Sequence, residues 1–246
     1  MRLSIIIPVL NSHEVVRRQL LHFSKIGLPP DTELILVDDG SDPPISHQLS
    51  QQTGQCPVCV LETHDTRPWT WALARNAGAR VAKGEILLMF DLDHIITREA
   101  LDFIHGYDGL KVQFVREFGV LDEYGVLTQE RPVLEEYGLP LDRKLKLGPL
   151  PNNFAMRADV FWDLGGYRED LVEKPYPQGE DRAFRSVWRT FDPDGKKVCP
   201  HRPTMFMFPN GKYLGDVDAD PQGLFHTLTR KTSRNFWYQL QRRKSD

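Results

Sequence analysis

The sequence predicts an α/β protein with a Rossmann-like, mostly parallel sheet flanked by helices. Three observations carry that prediction. Short apolar runs alternate with amphipathic stretches through roughly the first 105 residues. Two of the runs end abruptly in carboxylates, at Asp38-Asp39 and at Asp91-Leu92-Asp93, the latter with His94 behind it. The stretch between those runs carries small residues at Ala74, Ala77 and Gly78 on one face with Val81, which suits close packing on a sheet.

The elements follow in chain order. Residues 3–10 are apolar and rich in isoleucine, and Pro8 suits the end of that strand better than its middle. Asn11 or Ser12 can cap a helix over about 13–26, where Val16, Leu20 and Phe23 share a face, and Gly27 with Pro29-Pro30 stops it. Residues 33–37 form the next strand, and strand, helix, strand implies a parallel pair. A weakly patterned helix at 45–52, a strand at 58–62, a helix at 71–81, the strand ending at Phe90, and a helix at 98–105 capped by Thr97 complete this half.

Order is weaker over 106–151, where a strand at 111–115 and a strand-turn piece at 119–128 sit in a Pro- and Gly-punctuated segment of the kind used for binding loops. A short helix at 158–164 ends at Gly165-Gly166, and 180–191 is amphipathic through Phe184, Val187, Trp188 and Phe191. Short strands near 197–199 and 204–208 precede a polar loop and a basic tail.

A chain of 246 residues can bury one large core, and no repeat or low-complexity linker divides it. The expectation is one domain over 1–226, with halves at 1–105 and 106–226, followed by a tail at 227–246. That tail holds Arg230, Lys231, Arg234, Arg242, Arg243 and Lys244 around Phe236-Trp237-Tyr238, a pattern of a helix docking its aromatic side in preference to gripping a polyanion. The net charge of −3 gives no general support for a polyanionic partner. Cys56 and Cys59 form a lone C-x-x-C with no second pair for zinc, so all three cysteines are expected as reduced thiols. No signal peptide and no stretch near the roughly 20 apolar residues of a membrane span is present, so a cytoplasmic, soluble protein is expected, with its oligomeric state open.

Two carboxylates at the C-terminal end of a buried strand are costly unless a cation neutralises them, and in open α/β sheets that edge is where ligands bind. Asp91 and Asp93 therefore suit a divalent metal holding a diphosphate, or else they cap the following helix.

Six motifs now stand in order: residues 4–11 (SIIIPVLN), 37–42 (VDDGSD), 74–78 (ARNAG), Asp91-Leu92-Asp93, Gly165-Gly166-Tyr167 and Gly179-Glu180-Asp181. In that order they resemble family-two glycosyltransferases over about residues 3–191. The resemblance implies a GT-A fold and an inverting transfer of a sugar from a nucleotide-sugar, with a UDP-sugar expected, to an acceptor hydroxyl. It also implies that Pro8, Asn11, Asp38, Asp39, Arg75, Asn76, Asp91 and Leu92 bind the donor. Asp39 is the choice for the base contact, because a carboxylate can accept from a uracil N–H. Asp93, with Asp91, would hold Mn²⁺ or Mg²⁺, hard cations that favour oxygen ligands. Relatives often add a histidine from a late strand; Phe206 and Phe208 stand in that region, leaving His226, ahead of His201, as the candidate third ligand.

Asp181 matches the family's general base, which takes the acceptor's proton as the new bond forms, and Glu180 would orient the acceptor or the loop. Both acids would also be favourable first-turn charges on a helix. Trp69, Trp71, Asn153, Tyr176 and Gly179 are the acceptor-side candidates, the aromatics because ring faces stack on sugars or on bases. The acceptor implied is a glycan, with hydroxymethylated bases in DNA as the alternative. A nucleotidyltransferase and a catalytically silent sugar-nucleotide-binding module are the other readings.

Overall fold

The computed structural model describes residues 1–49, 58–65, 67, 70–148, 152–173, 179–209 and 220–225. The first half runs β1 (Leu3–Val9), α1 (His13–Ile26), β2 (Thr32–Asp38), α2 (Ile45–Leu49), β3 (Val58–Glu62), α3 (Trp71–Val81), β4 (Ile86–Met89), β5 (His94–Ile96) and α4 (Arg98–His105). The second half continues with β6 (Lys111–Gln113), β7 (Val115–Phe118), β8 (Val120–Leu121), β9 (Leu127–Thr128), α5 (Arg131–Glu136), β10 (Lys146–Leu147) and β11 (Phe154–Arg157). It closes with α6 (Ala158–Asp163), a 3₁₀ turn at Glu169–Glu173, α7 (Glu180–Phe191) and β12 (Thr204–Met207).

The central sheet has the order β3-β2-β1-β4-β11-β6. Its first four strands are parallel, as successive strand-helix-strand units require, and β11 enters antiparallel between β4 and β6. Alternation along β1 shows why both faces are covered. Leu3, Ile5, Ile7 and Val9 join one apolar cluster, packed by Val15, Val16 and Phe23 of α1 and by Leu101 and Ile104 of α4. Ile6 joins the other cluster, with Ala72 and Ala74 of α3, Phe161 of α6, and Phe184 and Trp188 of α7. The small face of α3 does what its composition implies. A Cβ on Gly78 would lie 2.5 Å from Ile6 Cγ2 and 2.9 Å from Val37 Cγ2, so only glycine lets the helix approach this closely.

A second sheet, β10-β7-β12-β5, packs beside the first. The chain crosses from one sheet to the other at Asp91-Leu92-Asp93, because β4 lies in the central sheet and β5 in the second.

Several local expectations are corrected. Segment 106–151 is more ordered than its composition suggests, since β6 to β10 and α5 all fall within it. Ser12 takes the N-cap position of α1 without a capping bond, and its hydroxyl donates to the Leu10 carbonyl at 2.9 Å. The strand expected near 197–199 is reduced to a single bridge, Lys111 to Val198. Thr97 does cap α4, accepting from the Ala100 N–H. Asp91 and Asp93 are therefore not helix caps; a strand follows them. Cys59 and Cys199 are free thiols. No helix among the described residues is long and apolar enough to cross a membrane.

Candidate active site

The carboxyl ends of β1, β2 and β4 meet at one edge of the central sheet, and the residues singled out by sequence collect there. After β1, Asn11 adopts a left-handed φ of 51°. Its Oδ1 accepts from the Asp42 N–H at 2.7 Å, and its own N–H donates to Ser41 Oγ at 2.9 Å, so the loops after β1 and β2 are tied together. Pro8 lies inside β1 opposite Val37 and is buried.

The two acids after β2 have different duties. Asp38 accepts from the Ser41 N–H and the Ile45 N–H, both at 2.8 Å, which holds the turn into α2. Asp39 is fully buried; Thr70 Oγ1 donates to its Oδ2 at 2.5 Å, and Thr63 Oγ1 approaches Oδ1 at 3.3 Å. Thr70 was not singled out by sequence reasoning; its only signal was its place before a helix.

Arg75 is the hub. It is 4 % exposed, its Nη2 donates to Asp91 Oδ1 at 2.5 Å, and its Nη1 lies 3.6 Å from Glu180 Oε1. The guanidinium carbon sits 5.5 Å from the centre of the Tyr167 ring. Burial alone would disfavour its charge, yet Asp91, the Tyr167 environment and Glu180 together raise its pKa above the ordinary arginine value. Burial pushes the Glu180 carboxyl up, with Arg75 opposing. Burial likewise raises the Tyr167 phenol, whose hydroxyl is buried without a hydrogen-bond partner among the described residues.

Asn76, the neighbour of Arg75, faces elsewhere. Its Nδ2 donates to the Tyr167 carbonyl and to Glu169 Oε1, both at 2.8 Å, and its Oδ1 accepts from the Tyr167 N–H at 3.0 Å. The Asn-Ala-Gly and Gly-Gly-Tyr motifs are therefore two halves of one clamp.

At the end of β4, Asp91 and Asp93 present carboxylates beside His94, and donor atoms of the three lie within 4.8 Å of one another. Asp91 receives Arg75 on Oδ1 and Asn153 Nδ2 on Oδ2 at 3.0 Å. Asn153 thus stands behind Asp91, buried, at the start of β11. Leu92 packs in the first apolar cluster, and its carbonyl accepts from Gln19 Nε2 at 3.1 Å. Asp93 Oδ1 lies 2.7 Å from His94 Nδ1, and the Asp93 carbonyl accepts from the Phe208 N–H at 2.9 Å. The late strand does reach the Asp91-Leu92-Asp93 turn, then, through its backbone and with phenylalanine at that point. The group of possible ligands includes His94, which in the sequence simply follows the two acids.

Gly179 has φ of 96° with no described residue close to where a Cβ would stand, and this left-handed residue turns the chain into α7. Glu180 and Asp181 open that helix, and Asp181 Oδ1 accepts from the Arg182 N–H at 2.7 Å. Trp71, half-buried, opens α3. Trp69, Tyr176 and His226 lie outside the described residues, as does the tail at 227–246.

Comparison with known proteins adds the following. The family model described as Glycosyl transferase family 2 matches residues 4–165. The chain is 29 % identical over 180 residues to N-acetylgalactosaminyltransferase 4 of Drosophila melanogaster, covering 58 % of this chain and 26 % of that protein. It is 32 % identical over 102 residues to poly(ribitol-phosphate) beta-glucosyltransferase of Bacillus spizizenii, covering 41 % of this chain and 16 % of that protein. The chain thus spans well under half the length of these relatives. Among solved structures it resembles S. aureus TarS 1–349 in complex with UDP-GlcNAc, with a TM-score of 0.57, 16 % identity, and coverage of 87 % of this chain and 61 % of that one. It also resembles the mannosyltransferase PcManGT from Pyrobaculum calidifontis in complex with GDP-Man and Mn²⁺, with a TM-score of 0.54, 18 % identity, and coverage of 86 % and 58 %. These likenesses show the fold.

Proposed function

This chain belongs to glycosyl transferase family 2 and has the GT-A fold, and on that premise we propose that it is an inverting enzyme moving a sugar from a UDP-sugar to the hydroxyl of a glycan acceptor. The observation that carries the reading is the buried Arg75 hub. It draws the Asp91 end of the D-x-D turn and the Glu180 end of the Gly-Glu-Asp turn, distant in sequence, to 2.5 Å and 3.6 Å from one guanidinium.

In this reading Asp39 accepts from the base, Asp91 serves the ribose side, and Asp93 serves the metal side. Asp91 and Asp93 supply hard oxygen donors that fit Mn²⁺ or Mg²⁺, with His94 adjacent. The chemistry a divalent cation supplies there is charge neutralisation of the departing diphosphate. Asp181 takes the acceptor's proton as its oxygen attacks the anomeric carbon from the face opposite the diphosphate, so configuration inverts in a single displacement. Glu180, held by Arg75 beside that base, orients the acceptor. No second carboxylate is assigned as a nucleophile, as a double displacement would require.

Asp181→Asn tests the assignment. The expected result is loss of sugar transfer with UDP affinity and thermal unfolding nearly unchanged, because the amide keeps the carboxylate's shape and loses its basicity. Turnover retained by Asp181→Asn would reject Asp181 as the base.

A further inference from the structure

We propose that His94 is a positioning residue that sets the Asp93 carboxylate through a locked tautomer, and that it does not itself ligate the metal. The inference rests on the metal-binding reading above only for its consequence; the tautomer follows from hydrogen bonds alone.

One backbone group has an unambiguous direction. The Asp91 N–H donates to one terminal atom of the Asn153 amide at 2.8 Å, so that atom is the oxygen. The Asn153 NH₂ is thereby fixed on the other side. It donates to Asp91 Oδ2 at 3.0 Å and approaches His94 Nε2 at 3.4 Å. A second donor, Arg116 Nη1, approaches the same Nε2 at 3.5 Å. A guanidinium offers no acceptor, and this one is 4 % exposed. Two donors face Nε2, Arg116 Nη1 while also donating to Met207 Sδ at 3.2 Å, and this favours the lone pair there and the ring proton on Nδ1. That nitrogen lies 2.7 Å from Asp93 Oδ1, to which it donates.

The ring is enclosed and the backbone that carries it is held. His94 is 1 % exposed, its N–H donates to the Asp91 carbonyl at 3.0 Å, and its carbonyl accepts from Gln19. For Nε2 to reach a cation it would have to leave Asn153 and Arg116; for Nδ1 to do so, it would have to lose the proton it gives Asp93. The arrangement is that of an imidazole that orients a ligand from behind, with Arg116 on β7 and Asn153 at β11 as its fixed references.

The test has two arms. In protein labelled with ¹⁵N-histidine, with the His94 signals assigned by comparison with His94→Asn, long-range ¹H–¹⁵N correlation should show Nδ1 protonated and Nε2 bare. A proton on Nε2 would overturn the proposal, and this arm needs no metal. In the Mn²⁺-loaded full chain, pulsed EPR should show no directly coordinated histidine ¹⁵N from residue 94; such a coupling would equally overturn it. His94→Asn, whose amide can still donate to Asp93, should keep Mn²⁺ affinity within about threefold, while His94→Phe should lose about 10- to 100-fold. Equal losses in the two variants would argue against positioning. A wild-type chain that binds no Mn²⁺ would reject the metal-binding reading itself, and the tautomer would still be decided by the first arm.

Discussion

Lys111→Met is the most quantitative perturbation this fold offers. Lys111 opens β6, is 4 % exposed, and places Nζ 4.6 Å from the ring centre of Phe154, 5.7 Å from Phe184 and 4.4 Å from Trp188. Phe184 and Trp188 belong to α7, so the ammonium sits between the central sheet and the helix that Glu180 and Asp181 open. Burial pulls its pKa from 10.5 to about 7, with Asp192 pulling the other way. In the window from about 7 to 10.5 the unfolded chain therefore holds more protons than the folded one, and stability rises with pH.

Integrated from about pH 6.5 to about pH 9.5, that difference is worth roughly 3 kcal/mol. Three ring faces favour the ammonium by about 1–2 kcal/mol and reduce the gain to roughly 1–2 kcal/mol. Methionine is similar in length, is apolar and does not titrate. Loss of the Asp192 counter-charge shifts the variant by much the same amount at both pH values. Urea unfolding at the two pH values should show wild type gaining roughly 1–2 kcal/mol relative to Lys111→Met as pH rises. Parallel pH profiles for the two proteins would refute a buried, titrating ammonium in this cage.

Other expectations concern the hub and the sheet. Arg75→Met leaves Asp91 and Glu180, 19 % and 13 % exposed, without their cation. It should cost about 3–5 kcal/mol, read as a melting temperature lower by roughly 6–20 °C. The Glu180 pKa is already raised by burial, so stability attached to it is present at acid pH and lost as pH rises through the folded value; the Arg75→Met deficit should accordingly shrink on acidification. Gly78→Ala forces a methyl group against Ile6 and Val37 and should destabilise by about 1–3 kcal/mol in chemical denaturation, whereas a surface alanine substitution should be near neutral.

Much of the first half was legible because its signals are local. Helices His13–Ile26, Trp71–Val81 and Arg98–His105 and strand Val58–Glu62 lie where periodicity and stop residues placed them. What escaped the reading is non-local. Phe154–Arg157 is four residues long and finds its place antiparallel between β4 and β6 only through partners more than 40 residues away. His94–Ile96 looks like the approach to a helix until β12 pairs with it.

The site shows the same division. The acids and Arg75 could be named from motifs, and family order linked them. No spacing in the sequence could show that Asn76 clamps Tyr167, that Thr70 serves Asp39, or that Asn153 and Arg116 converge on one imidazole. Those relations depend on which way a side chain points once the sheets have packed.

The crossing at Asp91-Leu92-Asp93 has a mechanical implication. Asp91 is anchored to Arg75 of α3 and to Asn153 beside the central sheet's β11, whereas the Asp93 carbonyl is anchored to Phe208 beside the second sheet. The separation of the two carboxylates is therefore a gauge of how far apart the sheets lie. A core substitution deep in the second sheet, far from any ligand, can retune that gauge by moving one jaw while the other stays still. The turn cannot be transplanted as a three-residue cassette, because its working dimension is held by the two layers it joins.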